Sequence, residues 1–176
     1  MTWFSVDIEA DGPIPGPYSM LSIGVVAVRD PLVDRFYREL APISERWQPD
    51  ALAVSGLDRD RLVTEGSSPR EAVAELRAFL DATSVGPPVF VSDNPGFDAA
   101  FVSHYCHRFD PAGNPFGHSA RRIGDLWAGH LGDAEDDSGW RSFVVTEHTH
   151  NALDDAVGNA EAMLAMVARG LTIPLD

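Results

Sequence analysis

The 176-residue chain contains no lysine, and its 13 basic residues are all arginines, against 27 aspartates and glutamates. The formal net charge is therefore −14. Proteins that hold long nucleic acids usually present a basic surface, because contacts to phosphates supply much of their affinity. We expect this chain to bind long polyanions weakly, except where metal ions or a local arginine cluster offset its acidity.

Cysteine and long apolar segments are also scarce. Cys106 is the single cysteine, so no internal disulfide can form, and a reducing cytoplasm fits this usage. No apolar run approaches the ~20 residues that span a bilayer, and the N-terminus lacks the pattern of a signal peptide. These absences favour a cytoplasmic protein without a membrane segment. Hydrophobic residues make up 44% of the chain, enough for one core, and the length predicts a single domain over residues 1–176.

The hydrophobic pattern predicts a mixed α/β fold. Strand-like runs at 2–9, 20–28 and 35–41 are joined by turns, which indicates an antiparallel meander whose second strand is buried on both faces. Helices are predicted at 49–54, 69–82, 97–106, 119–131 and 152–169, with a further strand at 89–92. This order predicts helices flanking a mixed sheet. The turn-rich span 109–117 is expected at the surface.

Asp7 and Glu9 stand two residues apart in the first predicted strand. Residues at that spacing point to the same face of a sheet. Two buried carboxylates would repel each other and lose hydration, at a cost of several kcal/mol. A divalent cation between them removes that cost. The alternative is an edge strand whose two acids face water.

Two further acids lie at predicted helix starts. Asp98 ends the segment Asn94-Pro95-Gly96-Phe97-Asp98, and Asp155 ends His150-Asn151-Ala152-Leu153-Asp154-Asp155. Either acid could simply interact with its helix dipole, and Asn94 suits a cap or turn. If all four acids converge, they form an oxygen-rich pocket for two divalent cations, the usual equipment for cleaving phosphodiesters.

Two histidines precede the last helix, at positions 148 and 150. A zinc site is not favoured, because no further cluster of Cys or His completes four ligands. His150 suits a general base, since histidine can take a proton from water near neutral pH. His148 is expected to be an exposed neighbour.

Taken together, the segments Asp7-Ile8-Glu9, Asn94 to Asp98 and His150 to Asp155 resemble the three ordered motifs of the DEDDh family of 3′–5′ exonucleases, within the ribonuclease H-like superfamily. The resemblance spans residues 7–155. The sister branch has Tyr four residues before the last Asp, where this chain has Asn151, so His150 indicates the histidine branch.

The resemblance implies a ribonuclease H-like fold and a set of roles. Two Mg²⁺ or Mn²⁺ ions would be held by Asp7, Glu9, Asp98 and Asp155, while His150 would activate the attacking water. One ion would position the nucleophile and the other would stabilise the leaving 3′ oxygen. The products would be nucleoside 5′-monophosphates.

Several residues are candidate contacts to substrate. Leu57 resembles the apolar residue that wedges against the terminal base in this family, although the family often has His where Ser55 stands. Tyr18 and Ser19 lie just after the first motif and could either touch the substrate or stiffen their loop. The remaining candidates are Asn94, Phe97, which could also pack in the core, and Arg121 or Arg122 for a phosphate.

The expected activity is metal-dependent removal of nucleotides from the 3′ ends of single strands. Short RNA is favoured over long DNA, because the single compact domain offers no extra binding module and its acidic surface disfavours long polyanions. The alternatives are a DNA exonuclease of proofreading or repair type, an endonuclease of the same broad fold, and a non-catalytic module that binds nucleic acid. Several members of the family pair, so a homodimer is also an expected form.

Overall fold

The computed structural model describes residues 1–175, and its centre is a five-stranded mixed sheet. The strands are β1 (Thr2–Ala10), β2 (Met20–Ala27), β3 (Arg35–Glu39), β4 (Pro88–Ser92) and β5 (Ala120–Arg122), in the order β3-β2-β1-β4-β5. The first three strands form the antiparallel meander, and β4 and β5 run parallel to β1. The predicted mixed sheet is therefore confirmed, as is the prediction that β2 is buried along its whole length.

Helices cover both faces of this sheet. They are α1 (Pro49–Ser55), α2 (Arg59–Glu65), α3 (Pro69–Thr83), α4 (Pro95–Phe109), α5 (Ile123–Leu131) and α6 (Ala152–Ala168), with a short 3₁₀ helix at Gly139–Phe143. None of the helices within residues 1–175 is long and apolar enough to cross a membrane.

The alternation of side chains along β1 sorts the core into two layers. Phe4, Val6 and Ile8 pack toward α3 and α4, in one buried cluster. Trp3 packs on the opposite face, with α5 and α6. Because a strand repeats every two residues, Asp7 lies on the same face as Trp3. Asp7 therefore faces α6.

The expectation of a helix from residue 119 was wrong, and the span 109–117 contains one buried residue. Residues 120–122 form β5 instead of the start of a helix, because they pair with β4. Phe116 is only 8% exposed, although its span was expected at the surface. Its ring packs edge-on against Phe4 and Phe90, with centroid distances of 6.2 and 5.2 Å. The helix α2 was not foreseen.

Candidate active site

Strand β2 and helix α6 meet at a glycine. Gly24 of β2 pairs with Asp7 of β1. A Cβ atom at position 24 would lie 2.2 Å from the carbonyl oxygen of Ala152, closer than any real contact. The missing side chain therefore lets the first turn of α6 lie directly on the sheet. That turn carries Asp155, which is how a residue near the end of the chain reaches Asp7.

The N-terminus of α6 is fixed by its own cap. The side chain of Asn151 accepts hydrogen bonds from the backbone N–H groups of Leu153 and Asp154, at 3.0 and 3.3 Å. Such a cap typically contributes about 1 kcal/mol. It also sets the first turn of α6, from which the Asp155 side chain projects toward the sheet.

Asp155 is nearly buried, with 6% of its surface exposed. Its Oδ1 atom accepts a hydrogen bond from the backbone N–H of Thr149 at 3.1 Å and lies 2.9 Å from Nδ1 of His148. Its Oδ2 atom is buried and has no hydrogen-bond partner within residues 1–175. A buried carboxylate oxygen without a partner is costly, so this atom is suited to a cation.

Asp98 reaches the same region from the other side of the sheet. It lies in the first turn of α4, is 4% exposed, and accepts a hydrogen bond from the backbone N–H of Ile8. Helix α4 is tied to the sheet by Tyr105, whose hydroxyl accepts from the backbone N–H of Met20 at 2.8 Å. Ile8 lies between Asp7 and Glu9 in the chain, so its hydrogen bond to Asp98 holds that acid close to both of them.

Three of the acids have a raised pKa. Burial is the largest cause in each case: it raises the pKa of Asp7 well above its ordinary value, that of Glu9 to about 8, and that of Asp98 to about 7. The negative charges of Asp98, Glu9 and Asp155 raise the pKa of Asp7 further. Asp7, Glu9 and Asp98 thus resist ionisation until a positive charge joins them.

The geometry of this cluster fits a divalent cation. Asp7, Glu9 and Asp155 each offer an oxygen, and these atoms lie within 4.8 Å of one another. Carboxylate oxygens are the ligands that Mg²⁺ and Mn²⁺ prefer. The unpartnered Oδ2 of Asp155 supplies an independent sign that a cation belongs here. Asp7, Glu9 and Asp155 therefore form a candidate metal centre.

His150 stands at the rim of the cluster. It is exposed and has a φ of 56°, a left-handed conformation that is uncommon outside glycine. Its ring meets that of His148 at a centroid distance of 4.3 Å. In this structure His148 contacts Asp155, while no hydrogen bond is formed by the side chain of His150 among the described residues. His148 is 65% exposed, as expected, but it is also a neighbour of the metal centre.

A cavity of about 420 Å³ opens beside the metal centre, between α6, the 3₁₀ helix and the end of β4. Asp7 and Asp155 form part of its wall, together with Asp93 and Arg141. Two oxygens of Asp93 lie 2.8 and 3.1 Å from Nη2 of Arg141, so this fifth acid is paired with a cation. Asp93 was not among the predicted site residues. It directly follows β4, and the parallel pairing of β4 with β1 is the feature that indicates its position beside Asp7.

The candidate contacts near β1 differ in accessibility. Ser19 is fully buried: its backbone N–H donates to Asp11, and its hydroxyl accepts from the backbone N–H of Ile43 at 3.0 Å. Tyr18 is half-buried, with its ring over Gly12. Ser19 therefore shapes the loop after β1, while Tyr18 borders its surface.

Three further candidates lie at helix ends. Leu57 is half-buried in the link between α1 and α2, just after Gly56, which ends α1 with a φ of 65°. Asn94 precedes α4 and is exposed, and its side chain makes no capping hydrogen bond. Phe97 is half-buried against Phe101, with ring centroids 5.0 Å apart.

The two arginines proposed for phosphate lie on the outer strand β5, two strands away from β1. Arg122 is engaged with Asp125 and Asp137, at 3.1 and 2.7 Å. Arg121 is exposed. The structure does not bring this pair into the acidic cluster.

Comparisons with known proteins relate the chain to nucleases. No family model matches the sequence. The sequence is 37% identical over 164 residues to the 3′–5′ DNA exonuclease Cap18 of Escherichia coli, an alignment that covers 89% of this chain and 87% of that protein.

Solved structures share the fold at lower identity. The nuclease domain of 3′hExo, a DEDDh family member bound to rAMP, superimposes with a TM-score of 0.77 at 14% identity, over 99% of this chain and 96% of that one. Exonuclease I of E. coli, in complex with a dT13 oligonucleotide, gives 0.70 at 13% identity. There the match covers 97% of this chain but only 41% of the other.

Proposed function

The chain belongs to the DEDDh family of 3′–5′ exonucleases, and on that premise we propose that it shortens single-stranded DNA from the 3′ end and releases nucleoside 5′-monophosphates. The observation that carries this proposal is the convergence of four acids from β1, α4 and α6, several of them with a raised pKa. A buried cluster of this kind is stable as a set of carboxylates only around cations.

We further propose two Mg²⁺ or Mn²⁺ ions as cofactors, with Asp7, Glu9, Asp98 and Asp155 as their ligands. Such ions, when bound, position the attacking water and stabilise charge on the leaving oxygen. The chain's own contribution is rigidity. Asp155 is held by the capped first turn of α6, and Asp98 by its hydrogen bond from Ile8.

We assign the general base to His150. Its exposure leaves both ring nitrogens free to reach a water molecule at the rim of the cluster. Its left-handed backbone turns the chain into α6 just before the Asn151 cap, which keeps the imidazole beside Asp155. In this role the imidazole accepts the proton of the attacking water and later gives it to solvent.

DNA is our leading substrate because the 37% identical relative is a DNA exonuclease by name. The sequence alone favoured RNA, on the grounds of size and acidity, and RNA stays the second candidate. Recognition of RNA requires contacts to the 2′-hydroxyl. A cytoplasmic location and a homodimer likewise stay predictions.

The substrate is tested with matched DNA and RNA oligonucleotides that carry the same sequence and a 5′ label. We expect a ladder of products, each one nucleotide shorter, with Mg²⁺ or Mn²⁺ and none with EDTA, and a higher kcat/KM for DNA. A ladder that forms only on RNA would replace DNA by RNA. Label released as a mononucleotide at the earliest time points would indicate attack from the 5′ end and contradict the assignment.

A further inference from the structure

Helix α1 has an unusual exposure for its composition. Four of its seven residues are apolar, at positions 51–54, yet none of the seven is buried. Val54 is 53% exposed, and Trp47, two residues before the helix, is 48% exposed. The other three tryptophans, Trp3, Trp127 and Trp140, are at most 9% exposed. A helix normally buries its apolar face, and an exposed apolar patch marks a surface that binds something.

This surface is joined to the loop that follows the catalytic strand. The backbone N–H of Gln48 donates to the carbonyl oxygen of Asp11 at 2.8 Å, and its side-chain amide donates to the hydroxyl of Tyr18 at 3.2 Å. Asp11 is two residues beyond Glu9, one of the metal-site acids. Adjacent Cα atoms are about 3.8 Å apart, so Trp47 lies within the span of a few nucleotides from the metal centre.

The same surface carries a cation, Arg46, that has no acidic partner among the described residues. The Arg46 guanidinium lies over the ring of Tyr18, 5.7 Å from its centroid, and it forms no salt bridge with any residue from 1 to 175. Seven of the 13 arginines do pair with a carboxylate, namely those at 29, 38, 59, 61, 77, 122 and 141. Arg46 is thus one of six arginines without a carboxylate partner among residues 1–175, and it is the one that lies over Tyr18 in the loop after β1.

We propose that Trp47 and the Arg46–Tyr18 pair form a stacking platform for the bases of a single strand upstream of the cleaved bond, with Arg46 also contacting a phosphate. The proposal rests on the exonuclease function and assigns residues that the family motifs do not contain. Aromatic rings and arginine planes bind bases without regard to sequence, because every base has a π-face. The platform would therefore hold single strands of any sequence, in which the bases are free to stack.

Nucleic acid fits this surface better than a protein partner does. The platform adjoins the loop after β1 through the hydrogen bond from Gln48 to Asp11, and Glu9 of the metal centre lies near the end of the same strand. It combines rings with a free cation, which is the pairing that single strands require. The apolar face of α1 and Leu57 would then be covered by the bases nearest to the cut.

Kinetics test the platform through substrate length. With six-nucleotide DNA, Trp47→Ala should raise KM by about tenfold, within the range for one stacked base, and leave kcat within about twofold. A dinucleotide has a single base upstream of the cleaved bond, the one nearest to the cut, and none further along to reach Trp47, so its KM should hardly change. Trp47→Phe should retain most of the affinity. Leu131→Ala is the matched control, because Leu131 is 45% exposed at the end of α5, and we expect it to match the wild type on both substrates.

The contribution of Arg46 is tested by salt. Each phosphate contact to a single strand adds about 0.7 to the slope of log affinity against log salt. Arg46→Gln should lower that slope by about 0.7 for the six-nucleotide substrate. A slope equal to that of the wild type would remove Arg46 from the platform.

Binding without turnover gives a second readout. Because Trp47 is the one exposed tryptophan of the four, a phosphorothioate six-nucleotide strand that resists cleavage should quench its fluorescence. The quenching should disappear in Trp47→Phe.

If Trp47→Ala instead leaves KM and binding unchanged, or changes the oligomeric state, the surface is not a nucleic-acid platform. A wild type that shortens no oligonucleotide would count against the exonuclease function, whereas an active wild type with an unaltered Trp47→Ala would count only against the platform.

Discussion

At the scale of single residues, two histidines compete for the role of base. His148 contacts Asp155 at 2.9 Å, while His150 is exposed and free of hydrogen bonds from its side chain within the described chain. We predict that His150→Ala lowers kcat by about 10²- to 10⁴-fold, the range for loss of a general base, with KM nearly unchanged. His148→Ala should lower kcat by less than about tenfold, since it loses only a hydrogen bond to one ligand.

Steady-state rates on one labelled DNA strand measure both variants. The reverse ranking, with His148→Ala the more damaging, would move the base to His148. The sequence alone could suggest His150 through its resemblance to the family motif. It could not show the contact between His148 and Asp155, because that contact depends on how residues 148–151 turn into α6.

At the scale of elements, the contact between β2 and α6 depends on Gly24. A Cβ atom there would meet the backbone of Ala152 at 2.2 Å, so Gly24→Ala must push the first turn of α6 away from the sheet. We predict a loss of about 1–3 kcal/mol in the free energy of unfolding, typical of overpacking. Activity should fall by at least about tenfold, because Asp155 moves away from Asp7.

Gly129→Ala provides the control for that change. Gly129 lies in α5, and an added Cβ would meet nothing within 4 Å. Replacing glycine by alanine inside a helix gains roughly 0.5–1 kcal/mol, so this variant should be at least as stable as the wild type and fully active. Denaturant unfolding and the DNA assay measure both variants. Equal stability and activity of Gly24→Ala would contradict the close approach of α6.

The longer elements follow from the sequence and the shorter ones do not. The predicted bounds of α3 and β2 match the structure closely. In each of these elements many apolar residues indicate the same buried face. Strand β5 has only three residues, two of them arginines, and it exists through pairing with β4. The residues that follow it are helical, so local propensity favoured the wrong structure. Gly24, likewise, has no local signal for its contact with α6.

At the scale of the whole molecule, the buried acids make stability depend on pH. The pKa of Glu9 is about 8 in the folded protein and 4.5 ordinarily, and that of Asp98 is about 7 against 3.8. The unfolded chain therefore releases these protons first as the pH rises. We predict that without metal the protein is most stable below about pH 4.5 with respect to Glu9 and loses that stability up to about pH 8.

Divalent cations should reverse this loss, because they bind the ionised carboxylates. Mg²⁺ or Mn²⁺ should raise the Tm by more at pH 8 than at pH 5.5, by a difference on the order of 5 °C. Thermal unfolding in EDTA and in each metal measures the effect. Glu9→Gln should flatten the pH dependence in EDTA and weaken the response to metal. An identical metal response at both pH values would contradict the raised pKa of these acids.

The most direct test of the metal-dependent active site compares two adjacent aspartates. Asp155 is buried with an unpartnered oxygen in the acidic cluster, whereas the neighbouring Asp154 accepts a hydrogen bond from the hydroxyl of Thr149 at 3.2 Å. The measurement follows the Mg²⁺-dependent shortening of a 5′-labelled single strand of DNA by wild type, Asp155→Asn and Asp154→Asn. We predict a loss of at least about 10³-fold for Asp155→Asn and a change within about threefold for Asp154→Asn. Comparable activity of Asp155→Asn and the wild type would contradict the account.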